Sequence, residues 1–111
     1  MEVIHYLNED GTDLYQEWVD TLRDTRAKVA ILRRIDRAKA GNFGDHKPCR
    51  EGVSEMRIDQ GSGYRVYYFL HGKMLVVLLC GGDKRTQDAD VNHAVACKND
   101  FLRRMKENRH D

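Results

Sequence analysis

The most constraining feature of the chain is an apolar pattern that runs over residues 56–85. Apolar and polar residues alternate over residues 56–59 and, with aromatic residues among them, over residues 64–71. Because successive side chains of a strand point to opposite faces, this alternation predicts two half-buried strands. Residues 74–80 are apolar without a break, which is typical of a central strand buried on both faces.

The turn between the first two of these strands determines which residues share a face. If residues 61–63 form a three-residue loop, Ile58 pairs with Val66 and Arg57 pairs with Tyr67. A two-residue loop would place Arg57 opposite Val66 and mix polar with apolar residues on each face. We therefore predict the three-residue loop and a polar sheet face that is open to solvent. This face carries Arg57, Arg65 and Tyr67, with Lys84 and Arg85 just past the end of the third strand.

A short strand and two helices are predicted before this unit. Residues 3–7 read as a strand, and the apolar residues that follow recur at helical spacing. The first helix begins after Thr12 or Asp13, and the second begins after Asp24 or Thr25, because such side chains cap helix N-termini. With almost nothing between them, the two helices are expected to form a hairpin on one face of the sheet.

The remaining segments complete an α+β domain that spans residues 1–111. The second helix ends at Gly41, and residues 46–52, which contain the only proline, are predicted to be a loop. Residues 81–83 are expected to be a flexible exit from the third strand. A last helix then runs to about Met105, before a polar tail over residues 106–111. The predicted fold is a two-helix hairpin on a small, mostly antiparallel sheet, in the order β-α-α-β-β-β-α.

Charge and cysteine content argue against a disulfide-rich protein and a zinc protein, and they identify one strongly basic segment. The net charge is only +1, but residues 23–39 carry seven basic residues against two acidic ones. Such a helix is either a footprint for phosphate groups or a solvated outer face. Three widely spaced cysteines argue against a disulfide framework and against a zinc site. With no signal peptide and no apolar run long enough to span a bilayer, we expect a cytoplasmic protein.

Arg57 and Arg65 are the leading candidates for chemistry. Two arginines that project from adjacent strands can hold a phosphodiester and neutralise the charge that grows on it during cleavage. Tyr67 beside them would offer a surface on which a base can stack. The alternative interpretation is that these arginines are ordinary residues of an exposed sheet face, with Asp59 forming a cross-strand ion pair to Arg65.

Further candidates are less tightly grouped. Lys84 and Arg85 follow two glycines at a strand end, where a loop can present charged groups to a ligand. His93, Asp90 and Glu55 are candidates for the acid and the base, although His93 can equally be a surface or capping residue. The histidines share no metal-ligand spacing, and no P-loop or dinucleotide fingerprint occurs, so we expect neither a metal nor a cofactor.

Four stretches of the chain resemble one protein family. Residues 41–45, 52–58, 63–68 and 81–87, together with the predicted order of elements, are similar to the RelE/ParE toxin superfamily. The resemblance is closest to the HigB-like branch of addiction module killer proteins. It implies a RelE-like fold and a bacterial type II toxin that acts as a ribosome-dependent mRNA endonuclease. In that reaction a base activates the ribose 2′-hydroxyl, which attacks the adjacent phosphate.

The resemblance assigns roles to individual residues. Arg65 matches the family's strand arginine, Lys84 matches the basic residue after the last strand, and Arg57 falls where several members carry a basic residue. These three are the predicted catalytic residues. RNA binding is predicted for Tyr67, Arg85, Arg33 and Arg37. The tyrosine or histidine that many members carry near the C-terminus is missing, so the acid and base stay unassigned.

The resemblance also implies partners. It predicts a cognate antitoxin of helix-turn-helix type, together with the ribosome and mRNA. Operator DNA would be contacted only through the antitoxin, and no membrane is involved. Two alternatives stay open: an inhibitor of DNA gyrase without nuclease activity, as on the ParE side of the superfamily, and a non-toxic module that binds RNA or a partner.

Overall fold

The chain forms five strands and three helices in the computed structural model, which describes residues 1–108. In chain order the elements are β1 (Glu2–His5), α1 (Leu14–Thr21), α2 (Thr25–Lys39), β2 (His46–Arg50), β3 (Val53–Ile58), β4 (Tyr64–His71), β5 (Leu75–Asp83) and α3 (Gln87–Glu107). A short 3₁₀ turn, Lys84–Thr86, joins β5 to α3. The α+β class is therefore confirmed. Asp13 and Asp24 cap α1 and α2 by accepting hydrogen bonds from backbone N–H groups.

The strands form one mixed sheet in the order β1-β5-β4-β3-β2. β1 runs parallel to β5, and the other neighbours are antiparallel. The predicted order of elements is wrong because it lacked β2, which lies within residues 46–52 that we expected to be a loop. Pro48 signals a loop, but an edge strand tolerates proline because the missing N–H group has no neighbour to bond.

Helices cover both faces of the sheet. The buried residues of α1 and α2 pack against one face, which includes Met56 and Val66. The buried residues of α3 pack against the other face, which includes Tyr67 and Phe69. The prediction of a solvent-facing sheet face is therefore wrong. The apolar stripe of α3 needs a surface on which to bury itself, and this face, with its two aromatic residues, provides it.

The hairpin between β3 and β4 has a longer loop than predicted. Met56 pairs with Val66 and Arg57 pairs with Arg65, so the loop comprises residues 59–63 rather than 61–63. The turn is closed by a hydrogen bond from the N–H of Gly63 to the carbonyl oxygen of Gln60, at 3.0 Å. The observed register differs from the predicted one by two residues, and a shift of two leaves every side chain on its predicted face. Arg57 and Arg65 therefore lie directly opposite each other.

Gly81 and Gly82 are part of β5 and do not form the flexible exit that we predicted. A Cβ atom on Gly81 would lie 2.1 Å from Cε3 of Trp18, and one on Gly82 would lie 1.9 Å from Oδ2 of Asp90. Side chains of α1 and α3 thus approach the strand from both sides at consecutive residues. The two glycines permit this approach because they have no side chain of their own.

The last helix extends to Glu107, so the first residues of the predicted polar tail are helical. The rest of that tail, residues 109–111, lies outside the described residues, and His110 lies there with it. Within residues 1–108, no helix combines the length and the apolar character that crossing a bilayer requires.

Candidate functional site: a cationic cleft at the sheet end

Arg57, Arg65 and Lys84, which were predicted separately, line one cleft of about 340 Å³. We call it the cationic cleft. Its lining residues are Asp45, Arg57, Ile58, Asp59, Gly63, Tyr64, Arg65 and Lys84. The β3–β4 hairpin supplies most of them, and the turn after β5 supplies Lys84. The structure thus brings the three predicted catalytic residues together, while their catalytic role stays a prediction.

Arg65 is held from behind by a buried carboxylate. Its side chain is 12% exposed, and its Nε donates to Oε2 of Glu55 at 2.5 Å, where the Glu55 side chain is only 2% exposed. The other oxygen of Glu55 accepts weaker hydrogen bonds from Cys49 and Gln87. The terminal nitrogens of Arg65 have no partner among residues 1–108, so they are free to donate to a ligand in the cleft.

The structure does not support the prediction that Glu55 acts as a base. Its carboxylate is buried in an ion pair with Arg65, which it restrains, and it does not line the cleft. The sequence predicted that Glu55 lies near the site, but it did not predict the ion pair with Arg65. The alternative interpretation, an ion pair between Asp59 and Arg65, does not apply either, because Arg65 pairs with Glu55 and Asp59 lies in the loop that follows β3.

Arg57 is held by a more exposed carboxylate. Its Nε and Nη2 donate to Oδ1 of Asp45 at 3.2 and 2.8 Å, with the two side chains 41% and 58% exposed. Arg57 and Arg65 carry like charges at directly opposed positions, an arrangement that is unfavourable by itself. The two carboxylates offset this repulsion. They leave Nη1 of Arg57 and both terminal nitrogens of Arg65 free for an anion.

Arg34 supports the loop beside the cleft, and the sequence analysis did not single it out. Its guanidinium donates to the carbonyl oxygens of Phe43 and Asp45, each at 2.8 Å, and to that of Arg57. It thus fixes the loop that carries Asp45 to the end of β3. Burial lowers the pKa of Arg34, with the charge of Arg37 as a further cause. A signal was present in the sequence, because Arg34 lies among the apolar stripe of α2 next to Ile35.

Lys84 reaches the cleft across a glycine. Gly63 has φ +87°, and a Cβ atom there would lie 2.9 Å from Cε of Lys84, so glycine suits both the backbone and the contact. The turn that carries Lys84 is capped by Asp83, whose carboxylate accepts from the N–H of Arg85 at 2.9 Å. Hydrogen bonds from the Arg85 side chain and backbone lower the pKa of Asp83. Lys84 forms no ion pair with any described residue.

Tyr67 cannot be the predicted stacking surface. It is fully buried beneath α3, and burial raises the pKa of its phenol. The aromatic residue that lines the cleft is Tyr64, whose ring contacts the edge of Trp18 with centroids 6.2 Å apart. The alternation of residues places these tyrosines on opposite faces of β4, but it does not reveal that a helix covers the face that carries Tyr67.

The remaining predicted residues lie outside the cleft. His93 is exposed on α3, and Asp90 accepts a hydrogen bond from Thr86 at 2.6 Å beside Gly82. Arg85 is largely exposed and paired with Asp83. None of the three lines the cleft, so the structure does not support His93 or Asp90 as the acid or the base.

The predicted RNA-binding residues Arg33 and Arg37 lie next to the cleft. They line an adjoining groove that shares Ile58 and Asp59 with it. The carboxylates in the cleft itself belong to Asp45 and Asp59. Of these two, Asp59 has no ion pair within residues 1–108. The set of groups suits a phosphate group, since the cleft is lined by two guanidinium groups, an ammonium group and one carboxylate without an ion pair among residues 1–108.

Comparison with known proteins gives a family that differs from the expected one. The family model described as "Phage derived protein Gp49-like" matches residues 17–98, which include every residue that lines the cationic cleft. A protein of Haemophilus influenzae, described as an uncharacterized protein, is 50% identical over 80 residues. That match covers 72% of this chain and 81% of the other protein.

These matches correct the resemblance to RelE/ParE and to its HigB-like branch, which was wrong. The Gp49-like proteins are a distinct family, often toxin-like and loosely associated with toxin–antitoxin systems. The four stretches on which the resemblance rested lie within residues 17–98, the part that the Gp49-like model matches. Short glycine-rich and arginine-containing stretches are therefore not specific to RelE/ParE, because they also occur in a chain of the Gp49-like family.

Proposed function

Because the chain belongs to the Gp49-like family of phage-derived proteins, which are often toxin-like, we propose that it is a toxin that cleaves mRNA in the cationic cleft. The observation that carries this proposal is the convergence of Arg57, Arg65 and Lys84 on one cleft. Two of these cations are anchored by carboxylates while some of their donors stay free. A phosphodiester is the common ligand for such a set of donors.

The proposed reaction is an internal transesterification of RNA. The ribose 2′-oxygen bonds to the adjacent phosphorus, the bond from phosphorus to the 5′-oxygen breaks, and the products are a cyclic phosphate and a free 5′-hydroxyl. Negative charge on the phosphate grows as the 2′-oxygen attacks, and the free donors of Arg57 and Arg65 stabilise it. Asp59, the unpaired carboxylate of the cleft, takes the proton of the 2′-hydroxyl, and a solvent water donates a proton to the departing 5′-oxygen.

The cleft carries few groups that can read a base. Tyr64 is its only aromatic residue among those described, and most of its other polar groups are charged. We therefore propose that the ribosome presents the mRNA and supplies much of the selectivity. A cognate antitoxin would neutralise the protein by covering the cleft, and acidic side chains suit such a contact.

Lys84→Ala tests the proposal because Lys84 is exposed and makes no ion pair within residues 1–108, so its loss should leave the fold intact. The matched control is Lys106→Ala, an exposed lysine of α3 that does not line the cleft. We would express the wild type and both variants in a bacterial host and map mRNA 5′ ends within minutes of induction. The wild type and Lys106→Ala should create new 5′ ends in translated messages, and Lys84→Ala should create at least tenfold fewer.

Three results would contradict the proposal. Growth arrest with intact messages and damaged DNA would indicate gyrase as the target. No arrest at all would indicate a binding module. Cleavage that is equally fast with Lys84→Ala would show that the cationic cleft is not where the phosphodiester reacts.

A further inference from the structure

The cationic cleft continues into a furrow along α2. A groove beside the cleft shares two lining residues with it, Ile58 and Asp59. A second groove, on the far side of this groove, shares three lining residues with it: Ala30, Arg33 and Gln60. The three depressions therefore form one path, which starts at Lys84 and ends near Arg26. We call the part beyond the cleft the α2 furrow. It is lined by Arg26, Val29, Ala30, Arg33, Arg37 and Gln60, among others.

The α2 furrow is basic, and three of its four arginines have no partner among residues 1–108, whereas Arg34 donates to carbonyl oxygens. The side chains of Arg26, Arg33 and Arg37 form no ion pair within the described part of the chain. Of the residues that the structure describes, Asp59 is the only acidic one that lines the furrow, at its junction with the cleft. In contrast, Asp36 on the same helix is paired with Lys39, at 3.6 Å. A surface whose like charges are left without partners attracts an anion.

The spacing of the three arginines suits a long ligand. They lie seven and four residues apart, which places them on one side of the helix and spreads them over about 16 Å at 1.5 Å per residue. Val29 and Ala30 form an apolar floor between the arginines, and Val29 is 41% exposed. Basic groups at intervals with apolar surface between them match a single-stranded nucleic acid, which alternates phosphates with bases.

We propose that single-stranded RNA lies along the α2 furrow, with phosphates on Arg33 and Arg37, while one phosphodiester further along occupies the cationic cleft. This inference rests on the proposed function, because the furrow leads to the site of cleavage. It adds a substrate requirement, namely that an RNA must extend several nucleotides to one side of the scissile bond to bind fully. A dinucleotide would fill the cleft alone.

The test measures binding of 2′-O-methylated RNA, whose blocked 2′-oxygen cannot attack. A decamer and a dinucleotide are titrated against the wild type, Arg33→Ala/Arg37→Ala and Lys84→Ala. The matched control, Lys28→Ala/Lys39→Ala, removes two charges from the same helix outside the furrow. Fluorescence anisotropy follows the decamer at several salt concentrations, and NMR follows the dinucleotide.

The furrow variant should bind the decamer about tenfold more weakly, since two exposed charge contacts are lost. The slope of log affinity against log salt should fall in magnitude by about 1.4, because each phosphate contact on a single strand contributes about 0.7. Dinucleotide binding should be unchanged in this variant. The control should keep both the decamer affinity and the salt slope of the wild type.

The two proposals fail in different ways. If the furrow variant binds the decamer as the wild type does, while Lys84→Ala weakens the dinucleotide, the furrow inference is wrong and the cleft proposal stands. If Lys84→Ala leaves dinucleotide binding unchanged, the cleft proposal is wrong. If polyglutamate at equal charge concentration displaces the decamer from Lys84→Ala but not from the furrow variant, the furrow accepts an acidic peptide, and its assignment to RNA is overturned.

Discussion

Arg65→Ala should destabilise the protein far more than Arg57→Ala, although the two arginines occupy directly opposed positions on neighbouring strands. Arg65 neutralises Glu55, a carboxylate that is 2% exposed. Arg57 is paired with Asp45 in a contact in which both side chains are exposed. The two variants therefore remove the same side chain from almost the same place, and they differ in the carboxylate that each leaves behind.

The magnitudes follow from that difference in burial. Removing one partner of a buried ion pair costs about 3–5 kcal/mol, because the other charge stays buried without compensation. The donors left to Glu55 are Gln87 at 3.4 Å and the thiol of Cys49 at 3.6 Å, and both are weak. An exposed pair contributes about 0–1 kcal/mol. Since a domain of this size is stable by about 5–15 kcal/mol, Arg65→Ala removes a large part of its stability.

Urea unfolding of the two variants and the wild type, followed by circular dichroism, measures the effect. Arg65→Ala should lower the free energy of unfolding by about 3–5 kcal/mol, and Arg57→Ala by at most about 1 kcal/mol. The double variant Arg65→Met/Glu55→Leu should recover most of the loss, since an apolar pair of similar size replaces a buried ion pair at little cost. Equal destabilisation by Arg57→Ala and Arg65→Ala would refute the reasoning.

Three further predictions concern other parts of the fold. Gly81→Ala forces the ring of Trp18 to move, so it should cost about 1–3 kcal/mol in urea unfolding and shift the fluorescence of this single tryptophan; unchanged stability and spectrum would contradict the close approach. Hydrogen bonds from Tyr6 and two arginines lower the pKa of Asp100, so its contribution to stability is present above the unfolded pKa of about 3.9 and is lost as the pH falls through the lower folded value. Unfolding at pH 6 and pH 3 should therefore show a smaller acid destabilisation in Asp100→Asn than in the wild type, and equal losses would contradict this. Burial raises the pKa of Cys49 to about 11, so iodoacetamide at pH 8 should modify it on the order of 100-fold more slowly in the folded than in the unfolded protein; equal rates would show that the thiol is accessible and ionised.

Local signals in the sequence were sufficient for much of the fold. Asp13 and Asp24 cap helices as predicted, since capping depends only on the residue and the few that follow it. The strand pattern of residues 64–71 was also correct. The prediction of a loop around Pro48 failed because proline is compatible with an edge strand but not with a central one. Whether a strand lies at an edge is a property of the assembled sheet.

The site was predictable in part. Arg57, Arg65 and Lys84 meet in one cleft, because strand ends and the turns beside them gather at one end of a sheet. Tyr67 and Glu55 were misplaced for a common reason: alternation shows that a strand has two faces but not that a distant helix buries the second. Arg34 was overlooked because the segment was considered for its total charge, although Arg34 alone among its arginines falls within the apolar stripe of α2; its contacts with carbonyl oxygens required the structure.

The anchoring of the two arginines has a consequence for the entropy of binding. A long side chain that becomes fixed loses up to about 2 kcal/mol of conformational freedom, and a ligand that fixes it is bound more weakly by that amount. Glu55 restrains Arg65 and Asp45 restrains Arg57 as soon as the protein folds. Binding of an anion in the cleft would therefore cost little further conformational entropy at either arginine. Lys84 has no such restraint among residues 1–108, so its side chain would lose conformational entropy on binding an anion. The cleft thus combines two cations that carboxylates restrain with a third, Lys84, that no carboxylate among residues 1–108 restrains.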